Sequence, residues 1–164
     1  MNTEISNQER GRELASKFRA TMWPVIDKYE KLGRGGLGRL LNAFAFAISD
    51  NEIEALTGRV VDDEAHTVEI AVFTTDHVVY FNGMSDLEHP KVQIIPRSNL
   101  TALVILEAPQ VIPFDHHNLY GRWAAYELTY TNGLKFQAPL SPGNDKVIEH
   151  FNELYPSLLQ DLSS

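Results

Sequence analysis

Between Glu52 and Ala138 the sequence divides into short runs of β-branched and aromatic residues, each bounded by turn-forming residues, and this spacing predicts an antiparallel sheet. The runs predict seven strands, at about 53–61, 67–74, 77–82, 91–95, 100–107, 122–131 and 133–138. Asn132-Gly133 predicts a hairpin with a type I′ turn, which needs two residues with positive φ. Thr75-Asp76 predicts a second tight turn. No βαβ pattern occurs in the sequence.

Helices are predicted on both sides of this region. Ser6 and Glu9 form a capping box, which marks a helix start. An apolar stripe follows at helical spacing: Leu14, Phe18, Met22, Val25, Tyr29 and Leu32. Pro24 predicts a kink or a split in this helix, and Gly33 predicts its end. The C-terminal helix has its own stripe: Val147, Phe151, Leu154, Leu158 and Leu162. Pro156 is expected to kink it or divide it in two.

Three of the glycines, Gly33, Gly35 and Gly38, match a dinucleotide-binding pattern by letter. That pattern needs a strand before it and a helix after it, within a βαβ unit. Here a predicted helix comes first. We therefore interpret the glycines as a joint between two helices, because glycine allows a tight reversal of the chain.

The second helix, predicted over 37–49, carries the candidate partner-binding residues. Its apolar face is formed by Leu37, Leu40, Leu41, Phe44 and Ile48. Residues 1–51 are then a helical N-terminal extension packed on a domain formed by 52–164, and this face contacts that domain or a second copy. Arg34 and Arg39 flank the face, but two basic residues are few for an anionic membrane, so membrane contact is not expected.

Three stretches resemble the bacterial pleckstrin-homology (PH)-like domain family. VEIAVFTTDHVVYFNG is similar to the paired second and third strands of that family, and VQIIPRSNLTALVI to the next strand, a break at Ile-Pro and the strand after it. YELTYTNGLKFQAP is similar to the final hairpin. The resemblance covers about 53–162 and implies an α+β, mainly β fold. In that fold a strongly bent antiparallel sheet, or partial barrel, of about seven strands is capped by a C-terminal helix.

The resemblance also implies a binding platform without catalytic activity. PH domains that bind phosphoinositides carry Lys and Arg in the loop between their first two strands. This chain has Asp62, Asp63 and Glu64 there. Three carboxylates would repel a phosphorylated headgroup, so we expect no strong phosphoinositide binding.

Charge and cysteine content narrow the classes of partner. The 164 residues carry a formal net charge of -8, with eight basic and six acidic residues in 1–50 and six basic and sixteen acidic residues in 51–164. An acidic body is expected to repel nucleic acid. The absence of cysteine suits a reducing cytoplasm. The polar N-terminus has no apolar signal-peptide core, and we expect a cytoplasmic protein.

Candidate chemical groups are few. Asp115, His116 and His117 form a polar loop that would need His66 or Asp63 to complete a metal site. Ser98, His116 and Asp76 contain the residue types of a hydrolytic triad, but no G-x-S-x-G motif accompanies them. We expect no catalytic residues, no metal and no cofactor.

The sequence therefore predicts a non-enzymatic cytoplasmic binding module that recognises a protein or peptide partner, or associates with itself. The alternative is a carrier of a small apolar ligand or lipid. Its cavity would lie between the bent sheet and the C-terminal helix, lined by Phe73, Tyr80, Tyr126 and Phe151.

Overall fold

The structure, a computed structural model, describes residues 9, 11–21, 36–108, 124–141 and 145–164. Residues 11–21 are helical and are called α1 here. The other helices and the strands follow in chain order: α2 (Gly36–Ile48), β1 (Ile53–Asp62), β2 (Thr67–Thr74), β3 (His77–Met84), β4 (Gln93–Pro96), β5 (Leu100–Glu107), β6 (Ala125–Tyr130), β7 (Lys135–Ala138) and α3 (Asp145–Ser163). The predicted Ser6 cap, Pro24 break and Gly33–Gly35 joint lie outside the described residues.

The described strands form two antiparallel sheets, so the fold is α+β. Sheet A has the order β1-β2-β3-β4 and sheet B the order β5-β6-β7. The prediction of seven strands and a C-terminal helix is confirmed. A single strongly bent sheet or partial barrel was predicted, but the described strands form two separate sheets and do not close into a barrel. The chain leaves sheet A at Pro96 and makes a 3₁₀ turn over Arg97–Asn99 before β5.

Side-chain hydrogen bonds, as well as glycine, determine the backbone conformation of the hairpin loops. At Thr75-Asp76 the Thr74 hydroxyl accepts a hydrogen bond from the His77 amide at 3.0 Å, and the predicted tight turn is present. At the β6–β7 turn the predicted type I′ geometry is wrong. The Gly133 amide donates to the Tyr130 carbonyl, and only Gly133 in that turn has positive φ, at 83°. Asn132 keeps negative φ because its Oδ1 accepts from the Leu134 amide at 3.0 Å.

Two apolar layers lie on opposite faces of sheet A. Alternate residues of β2 point to opposite faces: Phe73 packs between the two sheets and α3, whereas Val72 packs against α1 and α2. β3 alternates in the same way, with Tyr80 between the sheets and Phe81 under the helices. This two-sided burial explains why β2 reads as a nearly continuous apolar run.

Helix α3 closes the space between the sheets as one element. Its buried stripe is Val147, Phe151, Leu154 and Leu158. The helix continues through Pro156, so the predicted division into two helices is wrong. Proline removes one backbone hydrogen bond. The buried stripe extends on both sides of Pro156, and this packing holds the helix together across it.

Arg97 connects α3 to sheet A. Its guanidinium is buried and donates to the carboxylates of Glu54 on β1 and Asp161 on α3, the latter at 2.8 Å. It also donates to the Thr74 carbonyl at 3.0 Å and to the Ser157 hydroxyl. Burial alone would lower the pKa of Arg97, but the hydrogen bonds to Asp161 and Glu54 raise it. The side chain therefore stays charged in the interior.

Replacing Arg97 tests this connection. We expect Arg97→Met to lower the free energy of unfolding by about 3 kcal/mol, because two partly buried carboxylates lose their counter-ion. Arg97→Lys should also destabilise the fold, since one ammonium cannot reproduce a planar fork of donors. The measurement is urea denaturation followed by circular dichroism. The exposed Arg12→Met is the control, expected to change stability by less than about 0.5 kcal/mol. Equal effects of R97M and R12M would contradict the role assigned to Arg97.

Because three tyrosines are buried, we expect the fold to lose stability at alkaline pH. Burial raises the pKa of Tyr126 to about 12, and burial also raises the pKa of Tyr80 and of Tyr130. In the unfolded chain these phenols ionise near pH 10. Their neutral forms thus contribute fully below pH 10, and stability should fall as the pH rises from about 10 to 12. Denaturation midpoints at pH 8, 10 and 11.5 measure this fall, and a flat profile would contradict it.

Candidate protein-binding surface

The apolar face of α2, predicted to bind a partner, lies against sheet A. Leu37, Leu40, Phe44 and Ile48 are buried and Leu41 is partly buried, in contact with the apolar residues of β1 to β3 on that face. Phe44 also packs edge-on to Phe18 of α1, with ring centroids 5.8 Å apart. For these five residues to bind another molecule, α2 would have to leave the sheet. Their role in partner binding stays a prediction.

Most of the residues that the sequence analysis considered for catalysis or metal binding are dispersed or lie outside the described residues. Asp115, His116 and His117 lie outside the described residues. Ser98 is exposed in the 3₁₀ turn, and the backbone carbonyl of Asp76 accepts from the Arg97 amide at 2.9 Å. Among the described residues, no group of three or more potential metal ligands could hold an ion. No helix in the same ranges is long and apolar enough to cross a membrane.

Glu69 of β2 is a buried carboxylate that sequence reasoning did not single out as a candidate. It accepts a hydrogen bond from the Tyr80 hydroxyl at 2.6 Å and forms an ion pair with Arg59 at 2.7 Å. Burial and the hydrogen bond to Glu69 raise the pKa of Tyr80. Both oxygens of the carboxylate are therefore engaged, and this arrangement links β1, β2 and β3.

A cleft of about 320 Å³ lies between α1 and the α2–β1 connection. Leu14, Ile48 and Ile53 contribute apolar lining, and Glu13 and Lys17 of α1 pair at 3.2 Å along its wall. The residues that line the cleft are partly apolar and partly charged. No nucleophilic side chain among them is paired with a base. We assign it no chemistry.

The edges of the sheets differ in how they are protected, and exposed edges are where β-proteins pair with other chains. The edge of β1 is covered at Thr57 and Gly58, which accept hydrogen bonds from Leu140 and Ser141. β4 has four residues and ends in proline, and β7 has four residues with an exposed lysine. Short length, charge and proline each discourage strand addition.

Among the described residues, the fourth edge, β5, has none of these protections. It is eight residues long and pairs only with β6 among the described strands. Val104, Ile105 and Leu106 are 49%, 50% and 44% exposed in succession, and no charged residue occurs before Glu107. Irregularities in the pairing at both ends of β5 leave a regular run over Ala102–Ile105. A long, uncharged, apolar edge of this kind indicates an interaction site.

One flank of α3 carries further exposed apolar residues, on the face of sheet B toward which Ile105 points. On this flank the Asn152 side chain accepts from the Ala124 amide at 2.7 Å, and Tyr155 stacks on Tyr126 of β6 at 5.6 Å. Leu159 and Leu162 follow on the same flank and are exposed. Tyr126 lies directly opposite Ile105 of β5, and α3 contacts β5. We call Val104, Ile105, Leu106, Leu159 and Leu162 the β5–α3 surface.

Comparisons with protein-family models, curated proteins and solved structures found no match to this chain. The β5–α3 surface was therefore identified from geometry alone. Sequence analysis predicted β5 as a strand but not as an edge. The sequence did contain an indication that β5 is unusual. Ala102–Leu106 is apolar throughout and lacks the alternation of a half-buried strand.

Two phenylalanines on α2 test whether its apolar face is docked on the sheet. Phe44 is fully buried and Phe46 is 84% exposed. We expect Phe44→Ala to lower the free energy of unfolding by about 3–5 kcal/mol through lost burial and a cavity. Phe46→Ala, the matched control, should change it by less than about 0.5 kcal/mol. Equal effects in urea denaturation would mean that the face is undocked in solution and free for a partner.

Proposed function

We propose that this chain is a non-enzymatic, cytoplasmic protein-interaction module of PH-like architecture. Its contact surface is the β5–α3 surface, which takes an extended strand of a protein or peptide, foreign or its own. The observation that carries this proposal is the long apolar edge of β5, which no other described strand covers, beside sheet edges that are short, charged or covered. Strand addition supplies backbone hydrogen bonds, and neighbouring pockets for alternate side chains supply selectivity.

The PH-like assignment is supported by the order of the elements. Four antiparallel strands in sequential order are followed by three more and then by a helix that packs between the sheets. The exposed Asp62, Asp63 and Glu64 lie in the β1–β2 turn, and Asp62 Oδ1 accepts from the Glu64 amide at 2.9 Å. An acidic turn at this position disfavours phosphate ligands, so the proposal concerns protein partners.

The alternative of an apolar-ligand carrier has less support. The four aromatic residues proposed to line a cavity are buried and contact other rings. Phe73 packs edge-on to Phe151 at 5.6 Å, and Tyr80 stacks on Phe136 at 4.9 Å. The Tyr126 hydroxyl donates to the Phe151 carbonyl at 3.1 Å. These contacts place protein atoms where a ligand would have to lie.

Peptide selection with two valine variants tests the proposed surface. Val104 and Val61 are both 49% exposed strand residues, on β5 and β1 respectively. Val104→Lys places an ammonium opposite Glu127 of β6, a cross-strand arrangement compatible with the fold. Phage-displayed random peptides would be selected separately on the immobilised wild type, V104K and V61K, after each variant is checked for a cooperative melt.

We expect the wild type and V61K to enrich peptides with alternating apolar residues. V104K should lose this enrichment, because a charge on the strand edge opposes an apolar strand beside it. Equal enrichment on V104K and V61K would show that β5 is not the strand that binds the peptides. Failure of the wild type to enrich any peptide would contradict binding of a foreign strand.

A further inference from the structure

We propose that the occupant of the β5–α3 surface is the same surface of a second copy of this chain. The two β5 strands pair antiparallel about a two-fold axis at Val104 and join the two copies of sheet B into one continuous sheet. This inference rests on the proposed function, since it names the partner of the same surface.

The sequence of β5 is complementary to itself in this register. A two-fold axis at Val104 places Val104 opposite its own copy and Leu103 opposite Ile105, all within the regular run of β5. Directly opposite residues in an antiparallel pair share a face, so apolar side chains meet across the seam. The Glu107 residues of the two copies lie at opposite ends of the seam, which avoids a like-charge contact.

Charge limits where a second copy can approach. Each chain carries a formal net charge of -8, so two copies repel over most of their surfaces. The run Ala102–Leu106 is uncharged, and close approach there costs little electrostatic free energy. The same run offers no charged side chain with which to select a foreign sequence. An apolar strand in self-complementary register fits it better than a charged peptide does.

The two-fold arrangement brings the α3 helices into the interface as well. An axis perpendicular to sheet B keeps both α3 helices on the same face of the joined sheet. Leu159 and Leu162 of each copy then lie beside the seam, where a partner covers them. A stable interface usually buries about 1,200 Å² or more in total. The strand edge and the helix flank together enlarge the area that the two copies can bury.

A closed dimer is the expected assembly. A two-fold contact uses the same surface on both copies and leaves no unpaired half to recruit a third. The remaining sheet edges are the covered β1, the short β4 and the short β7. Growth into longer assemblies is therefore opposed at every other described edge.

The first experiment measures the mass of the full chain in solution. Light scattering or sedimentation of the wild type and of V61K should give twice the 18.5 kDa chain mass at micromolar concentration. V104K should weaken self-association by about tenfold or more, because the axis places two ammonium groups directly opposite each other. Raising the salt from about 50 to 500 mM should strengthen the wild-type dimer, because salt screens the repulsion between two acidic chains.

Cysteine cross-linking then tests the register. The chain contains no cysteine, so an introduced thiol is the only one present. Under mild oxidation V104C should form a disulfide-linked dimer, since residues facing each other on the axis lie within disulfide distance. V61C, at an equally exposed valine, is the matched control and should stay monomeric on a denaturing gel. An equimolar mixture of L103C and I105C should cross-link to each other much faster than either does to itself.

The outcomes separate this inference from the proposed function. A wild type that stays monomeric up to about 100 μM, or equal cross-linking of V104C and V61C, overturns the second copy as the partner. If such a monomer still enriches peptides in a manner that V104K abolishes, the proposed function stands without the dimer. If V104K changes neither peptide enrichment nor self-association, both fail.

Discussion

The ion pairs and hydrogen bonds of Arg97 hold the arrangement of the described elements together. The guanidinium lies in the turn between the two sheets and donates to Glu54 of β1, Thr74 of β2 and Asp161 of α3. A buried charge costs several kcal/mol unless its partners are all in place. The burial of Arg97 is therefore favourable only when α3 has docked, so sheet A, the turn and the helix are stabilised as a unit.

The orientation in which α3 docks determines which of its residues stay exposed to solvent. The flank with Ser157 and Asp161 faces Arg97, and the flank with Tyr155 faces β6. Leu159 and Leu162 continue the second flank beyond the last ring contact and are exposed. The exposure of Leu159 and Leu162 thus follows from the orientation in which Arg97 holds the helix.

Local patterns were sufficient to predict most elements. The alternation in VEIAVFT predicted β2 as 67–74, and the spacing of Leu37, Leu40, Phe44 and Ile48 predicted the buried face of α2. The geometry at Asn132-Gly133 was predicted wrongly because one side-chain bond to Leu134 decides it. The role of Arg97 could not be predicted, since Glu54 and Asp161 lie 43 and 64 residues away. Whether β5 forms an edge depends likewise on the pairing of distant strands.

The outer face of sheet B gives an independent reason to regard β5 as the border of an interface. On β6 and β7 that face carries Glu127, Thr129, Lys135 and Gln137, with an ion pair of 2.8 Å between Glu127 and Lys135. On β5 the same face carries Ala102, Val104 and Leu106, all exposed. A face that is solvated throughout would be polar on all three strands. The change from polar to apolar at the unpaired strand is the pattern expected where a protein surface passes from solvent to a partner.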